Sequence, residues 1–111
     1  MPLLRRARIE IYLPDRERSD YKRMQRAFEQ EFLHTFGGCT VIKRIKGMYL
    51  DSAGGTDFDK INLIYADTPF DFDESFEALS EYTDELRAAA LAGSEEEAIL
   101  IVVHEIYHSI V

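Results

Sequence analysis

The sequence lacks tryptophan, and among its 111 residues it has one cysteine, three prolines and no long apolar run. A single cysteine excludes an internal disulfide framework, which fits a reducing compartment. A membrane-spanning helix needs about 20 consecutive apolar residues, and no stretch approaches that length. The first six residues, MPLLRR, also lack the apolar core of a signal peptide. We therefore expect a cytoplasmic protein that has no membrane partner.

Positive charge is scarce in the second half of the chain. Residues 1–50 hold 11 Lys or Arg and 6 Asp or Glu (11 − 6 = +5), whereas residues 51–111 hold 2 and 15 (2 − 15 = −13), which gives a net charge of −8. Binding to nucleic acid depends on cationic side chains, so this balance argues against nucleic acid as a partner. We expect the two halves to attract each other within one compact domain spanning residues 1–111, with a basic first helix beside an acidic second helix.

The pattern of apolar residues predicts four strands and two helices in the order βαββαβ. Residues 7–13 alternate strictly between apolar and polar side chains, as in a strand with one buried face. The first helix runs from about Ser19 to Phe36 and is ended by Gly37. Strands follow at 39–50, with a bulge at Gly47, and at 60–66, joined by a loop at 51–59. Asp71 and Glu74 resemble a capping box in front of Phe76, at the start of a second helix that ends at Gly93, and a final apolar strand reaches the end of the chain.

Right-handed crossovers in the two βαβ units favour one arrangement of these elements. It is an α+β sandwich with a four-stranded antiparallel sheet in the order 4-1-3-2 and both helices on one face. This is the ferredoxin-like fold, and it leaves the second face of the sheet without helices.

The last strand contains His104-Glu105-Ile106-Tyr107-His108, which matches the His-Glu-x-x-His pattern of zinc proteases. That chemistry needs a helix, on which the two histidines lie about 6 Å apart and share one ion. The preceding run Ile-Leu-Ile-Val-Val favours a strand, on which the same spacing is about 13 Å. We therefore reject the zinc-protease interpretation and predict no metal site and no cofactor.

Strand four is apolar on both sides from Ile99 to Val103, and strands of this kind are normally covered on both faces. We therefore predict a homodimer in which a second copy covers the open sheet face. The candidate acid-base residues are His104, His108, Glu10 and Tyr12, and the candidate ligand-binding residues are Asn62, Glu105 and Tyr107. The sequence does not decide whether the two histidines or Glu105 and Tyr107 face the open side.

The stretch FGGCTVIKRIKGMYLDSAGG, followed by DKINLIYADTPF, resembles a family of small bacterial proteins of cyanobacterial type with a ferredoxin-like fold. The resemblance covers the middle third of the chain and implies the same architecture without an activity. Our leading hypothesis is a homodimeric module that binds a small molecule or a protein through the open sheet face. The alternative is a cofactor-independent enzyme of the dimeric α+β barrel type.

Overall fold

The strands and helices follow the predicted order in a computed structural model that describes residues 3–96 and 98–109. They are β1 (Leu4–Pro14), α1 (Ser19–Phe36), β2 (Thr40–Leu50), β3 (Thr56–Asp67), α2 (Phe76–Ala92) and β4 (Leu100–His108). All neighbouring strands are antiparallel, in the order β2-β3-β1-β4. This is the predicted order read from the other edge, so the α+β ferredoxin-like fold is confirmed. Residues 110 and 111 lie outside the described residues.

The alternation in β1 places one row of side chains in the core. Ala7, Ile9, Ile11 and Leu13 are buried, and they share one apolar cluster with side chains of both helices. Burial of each large apolar side chain stabilises the fold by about 1.5–3 kcal/mol. The helical members of the cluster are Tyr21, Met24, Phe28, Phe32, Leu79, Leu86 and Ala90. Because these residues share one cluster, both helices cover the same face of the sheet.

Both helices have defined ends. Gly37 follows α1 in a left-handed conformation (φ 84°), and its N–H donates to the carbonyl of Leu33 at 2.9 Å, which closes the last turn. Before α2, the Asp71 carboxylate accepts hydrogen bonds from the N–H groups of Asp73 (3.0 Å) and Glu74 (3.2 Å). These bonds fix the turn from which α2 starts at Phe76. Within the described residues, no helix has the length and apolar character to cross a membrane.

The connection between β2 and β3 is shorter than predicted, because β3 begins at Thr56 and includes Asp57 and Asp59. Pairing of β3 with β1 ends at Ile61, so residues 46–60 form a two-stranded arm beyond the sheet. Gly47 pairs regularly, and the Tyr49 hydroxyl would lie 2.7 Å from a Cβ at that position. The bulge predicted at Gly47 is therefore wrong: it lies at residues 43–44, and Gly47 instead admits the Tyr49 ring.

The attraction between the two halves acts through ion pairs away from the helix interface. Among the described residues, six arginine–carboxylate pairs join the first 50 residues to the rest of the chain: Arg5–Asp71, Arg5–Asp73, Arg5–Glu105, Arg8–Asp67, Arg16–Glu96 and Arg18–Glu95. Between α1 and α2 themselves, the described residues form no ion pair. Their polar contact is instead a hydrogen bond from the Tyr82 hydroxyl to Glu31 at 2.9 Å. In the part of the chain that the structure describes, Arg23, Arg26, Lys43 and Arg44 take part in no ion pair.

Candidate functional site

The face of the sheet opposite the helices, which we call the open face, collects most of the candidate residues. Strand register fixes which side chains lie on it, because directly paired residues point to the same side. In β1 the side chains of the open face alternate along the strand with the buried side chains of the core. The open face consists of Leu4, Arg6, Arg8, Glu10 and Tyr12 from β1, Leu100, Val102, His104, Ile106 and His108 from β4, Ile61, Leu63, Tyr65 and Asp67 from β3, and Thr40, Ile42 and Ile45 from β2.

Glu10 lies at the centre of this face, and two other candidates contact its carboxylate. The Tyr12 hydroxyl donates a hydrogen bond to Glu10 Oε1 at 3.2 Å, and His104 Nε2 lies 3.5 Å from the same oxygen. Only 14% of the Glu10 side chain is exposed. The strand register therefore brings three of the four predicted acid-base residues into one cluster, which we call the Glu10 cluster.

The chemistry open to the Glu10 cluster is hydrogen bonding and proton transfer. Burial raises the pKa of the Tyr12 hydroxyl, and the charge and hydrogen bond of Glu10 raise it further, so this hydroxyl stays a donor at neutral pH. A carboxylate beside an imidazole can orient the ring for acid-base work. A cavity of about 430 Å³ opens nearby at the arm end of the face, but Tyr12 lines it whereas Glu10 and His104 do not.

The two histidines of β4 both lie on the open face, which resolves the parity that the sequence left undecided. They occupy positions four residues apart on a strand, where about 13 Å separates them, too far for one ion to bind both. The prediction that this motif lies on a strand is confirmed. Among the described residues, the buried Nε2 atom of His108 has no hydrogen-bond partner, and the buried Nε2 atom of His104 has the 3.5 Å contact with Glu10 but no hydrogen bond. Buried polar atoms normally form hydrogen bonds, so both nitrogens are available to a further partner.

Arg8 and Asp67 form the strongest polar contact of the open face. The guanidinium donates to both carboxylate oxygens of Asp67, at 2.6 and 3.0 Å, and lies 4.3 Å from the centre of the Tyr65 ring. The pKa of Arg8 is raised, chiefly by its hydrogen bond to Asp67. A bidentate pair stacked on an aromatic ring is rigid, so Arg8 is a fixed element of this surface.

The three predicted ligand-binding residues, Asn62, Glu105 and Tyr107, lie on the helix side of the sheet. The prediction that places Asn62 on the open face is wrong. Asn62 pairs with the buried Leu13 and is itself buried beside α1. Glu105 and Tyr107 lie on the helix side near the start of β1, where Arg5 Nε is 3.5 Å from Glu105 Oε1. A hydrogen bond to Glu105 raises the pKa of the Tyr107 hydroxyl. These residues therefore cannot join the Glu10 cluster.

Comparisons with known proteins support the fold alone. No protein-family model matches the chain, and no curated protein does. CutA1 from Oryza sativa is similar in structure, with a TM-score of 0.57 and 17% sequence identity over 96% of this chain and 84% of that one. Two weaker similarities have a TM-score of 0.49. The divalent cation tolerance protein CutA1 from Thermus thermophilus is 17% identical over 91% of this chain and 82% of that chain. CPII from Thiomonas intermedia, solved with ADP, AMP and acetate, is 19% identical over 98% and 93%.

Asp67 has a role on the open face that the local sequence pattern does not indicate. It is the last residue of β3 and pairs with Arg8 on the open face. A signal was available, because Arg8 shares the polar side of the alternating β1 with Glu10 and Tyr12. A cation on that row predicts an anionic neighbour on an adjoining strand.

Proposed function

We propose that this protein is a self-associating binding module, in which further copies of the chain cover the open face. The observation that carries the proposal is the apolar surface of that face. Leu100 is 58% exposed, and Ile42 and Leu4 are also exposed, in a part of the sheet that neither helix covers. Burial of such surface in an interface is the main driving force of association.

The charge of the open face suits contact between identical molecules. The whole chain has a net charge of −8, so two copies repel each other over most of their surface. On the open face, however, Arg6 and Arg8 (+2) balance Glu10 and Asp67 (−2). An assembly through this face therefore avoids the repulsion that the rest of the molecule would create.

The histidine nitrogens that lack hydrogen bonds also support self-association through the open face. A second copy can supply hydrogen-bond partners to His104 and His108, and its apolar side chains would exclude water from the Glu10 cluster. A two-fold dimer, as predicted from the sequence, is the smallest assembly that covers the face with itself. Small molecules held between the copies would contact Tyr12, Glu10 and His104.

The alternative function, acid-base catalysis, is favoured by the contact of Tyr12, Glu10 and His104. An enzyme of this kind needs the acid-base groups to line a concave pocket that holds the substrate. Of these three groups only Tyr12 lines the cavity on the open face. We therefore place the binding module first and the enzyme second.

The test of self-association is the native mass of the wild type and of two matched variants. Leu100→Lys places a charge on the open face, and Leu33→Lys places one at an exposed position (45%) on α1. We expect an oligomer for the wild type and for Leu33→Lys, and a monomer for Leu100→Lys, because the lysine would be buried without a partner. A wild-type monomer at all accessible concentrations would refute the proposal. Extra mass on the oligomer would reveal a retained ligand.

A further inference from the structure

A second candidate binding site lies on the helix side of the sheet, away from the open face. It is a cleft of about 440 Å³ between the end of β1, the first turns of α1 and the bulge of β2, and we call it the bulge cleft. Its volume falls within the range of sites for small molecules. Arg26, Lys43, Arg44 and the buried Asn62 are among its lining residues.

The bulge holds Arg44 in a backbone conformation that arginine rarely adopts. Lys43 and Arg44 together occupy the space opposite Asn62, and the φ angle of Arg44 is 61°. In this left-handed region a side chain meets the backbone, so a glycine would be more stable there than an arginine. Strained residues of this kind occur preferentially at binding and catalytic sites.

The side chain of Asn62 holds the backbone of Arg44 in this strained conformation. Its side-chain oxygen accepts a hydrogen bond from the N–H of Arg44 at 3.0 Å, and its amide group donates to Gln25 at 2.8 Å and to Asp15 at 3.2 Å. Only 5% of Asn62 is exposed. A buried and fully bonded side chain thus holds the backbone of Arg44 at the wall of the cleft.

The charges in the bulge cleft leave an excess of cations. Five cations line it (Arg16, Lys22, Arg26, Lys43 and Arg44) against three carboxylates (Asp15, Glu17 and Glu29), which gives 5 − 3 = +2. Glu17 pairs with Lys22 at 3.3 Å, whereas Asp15 and Glu29 accept hydrogen bonds from the neutral amides of Asn62 and Gln25 and keep their charge. The ion pairs of the described residues include none that involves Arg26, Lys43 or Arg44. The lining therefore carries an excess of two positive charges in a chain whose net charge is −8, and Arg26, Lys43 and Arg44 belong to no ion pair among the described residues.

We propose that the bulge cleft binds a phosphorylated small molecule, whose phosphate groups contact Arg44, Lys43 and Arg26. Guanidinium groups bind phosphate oxygens in bidentate geometry, and the excess of two positive charges in the lining matches the charge of a phosphate ester better than that of a single carboxylate. The cleft is larger than one phosphate, which leaves room for an organic part between Tyr21 and Pro14. The site is complete in one chain and goes beyond the proposed self-association.

The test is titration calorimetry with inorganic pyrophosphate in the absence of metal ions. We expect saturable binding by the wild type with one site per chain. Arg44→Gly should weaken binding at least about tenfold, because it removes a charge-assisted contact. The same variant should raise the melting temperature, because glycine adopts the φ of residue 44 without strain. Opposite effects on affinity and stability are not expected of a merely structural residue.

Two matched variants on α1 provide the control. Arg26→Ala removes a cation that lines the bulge cleft, whereas Arg23→Ala removes an exposed cation of the same helix that does not line it. We expect Arg26→Ala to weaken pyrophosphate binding and Arg23→Ala to bind like the wild type. If Arg44→Gly does not fold, Arg44→Asn replaces it, since asparagine tolerates the left-handed region.

Three results would overturn the proposal: no saturable binding of pyrophosphate, equal affinity of the wild type and Arg44→Gly, or equally tight binding of citrate, which would show that phosphate is not recognised. The outcome is separable from self-association, because Leu100→Lys lies on the opposite face and should bind pyrophosphate as the wild type does.

Discussion

Gly37 and Arg44 both have left-handed backbone conformations, but for different reasons. Gly37 ends α1, and its φ of 84° directs its N–H back to the Leu33 carbonyl. A glycine at this position is the usual way to end a helix. Arg44 lies in a bulge, where its N–H is held by the side chain of Asn62. The same backbone conformation thus serves chain folding at one residue and, in our proposal, ligand binding at the other.

Gly37→Ala tests the cost of this conformation at a site without other contacts. A Cβ at residue 37 would meet nothing within 4 Å, so the substitution changes the backbone preference alone. We expect Gly37→Ala to lower the free energy of unfolding by about 1 kcal/mol, measured by chemical denaturation. Gly38→Ala is the matched control, since its surroundings are equally open and its φ is not positive. Equal stability of the two variants would contradict this account.

At the scale of the elements, the turn before α2 depends on one carboxylate. The backbone N–H of Glu74 is the main cause of the lowered pKa of Asp71, and the charge of Arg5 contributes. A carboxyl group whose pKa is lower in the folded state stabilises the fold above its unfolded pKa, near 4. This contribution is lost as the pH falls through the lower, folded pKa.

We therefore expect Asp71→Asn to be less stable than the wild type at neutral pH. The stability gap, which is the difference between the two free energies of unfolding, should narrow below about pH 4. Denaturant unfolding at several pH values measures this gap. Asp73→Asn is the control, because the Asp73 carboxylate is exposed and accepts no backbone hydrogen bond in this turn. A gap for Asp71→Asn that stays constant at acidic pH would show that the charge of Asp71 is not involved.

The elements also show where sequence patterns suffice and where they do not. The strict alternation of β1 assigned Glu10 and Tyr12 to the open face correctly, and the helical spacing gave both ends of α1. In β3 the residues around Asn62 are apolar on both sides, so alternation could not tell its two faces apart. The bulge at residues 43–44 and its contact with Asn62 depend on pairing between strands, which local patterns do not contain.

At the scale of the whole molecule, the two faces of the sheet have different chemistry. The helix side holds the apolar core and, at its margin, the bulge cleft with its excess of cations. The open face combines apolar side chains with balanced charges and two histidine nitrogens that lack hydrogen bonds. The fold can therefore support self-association on one side and ligand binding on the other without either surface blocking the other.

Self-association through the open face would make thermal stability depend on protein concentration. Unfolding of an oligomer releases separate chains, so dilution favours the unfolded state. For a dimer of this chain length, we expect the melting temperature to rise by about 3 °C for each tenfold increase in concentration. Leu100→Lys should remove this dependence, because its lysine prevents burial of the open face, and Leu33→Lys on α1 should retain it. Scanning calorimetry over about a hundredfold range of concentration makes the measurement. A wild-type midpoint that does not change with concentration would mean that the open face stays exposed to solvent in the folded protein.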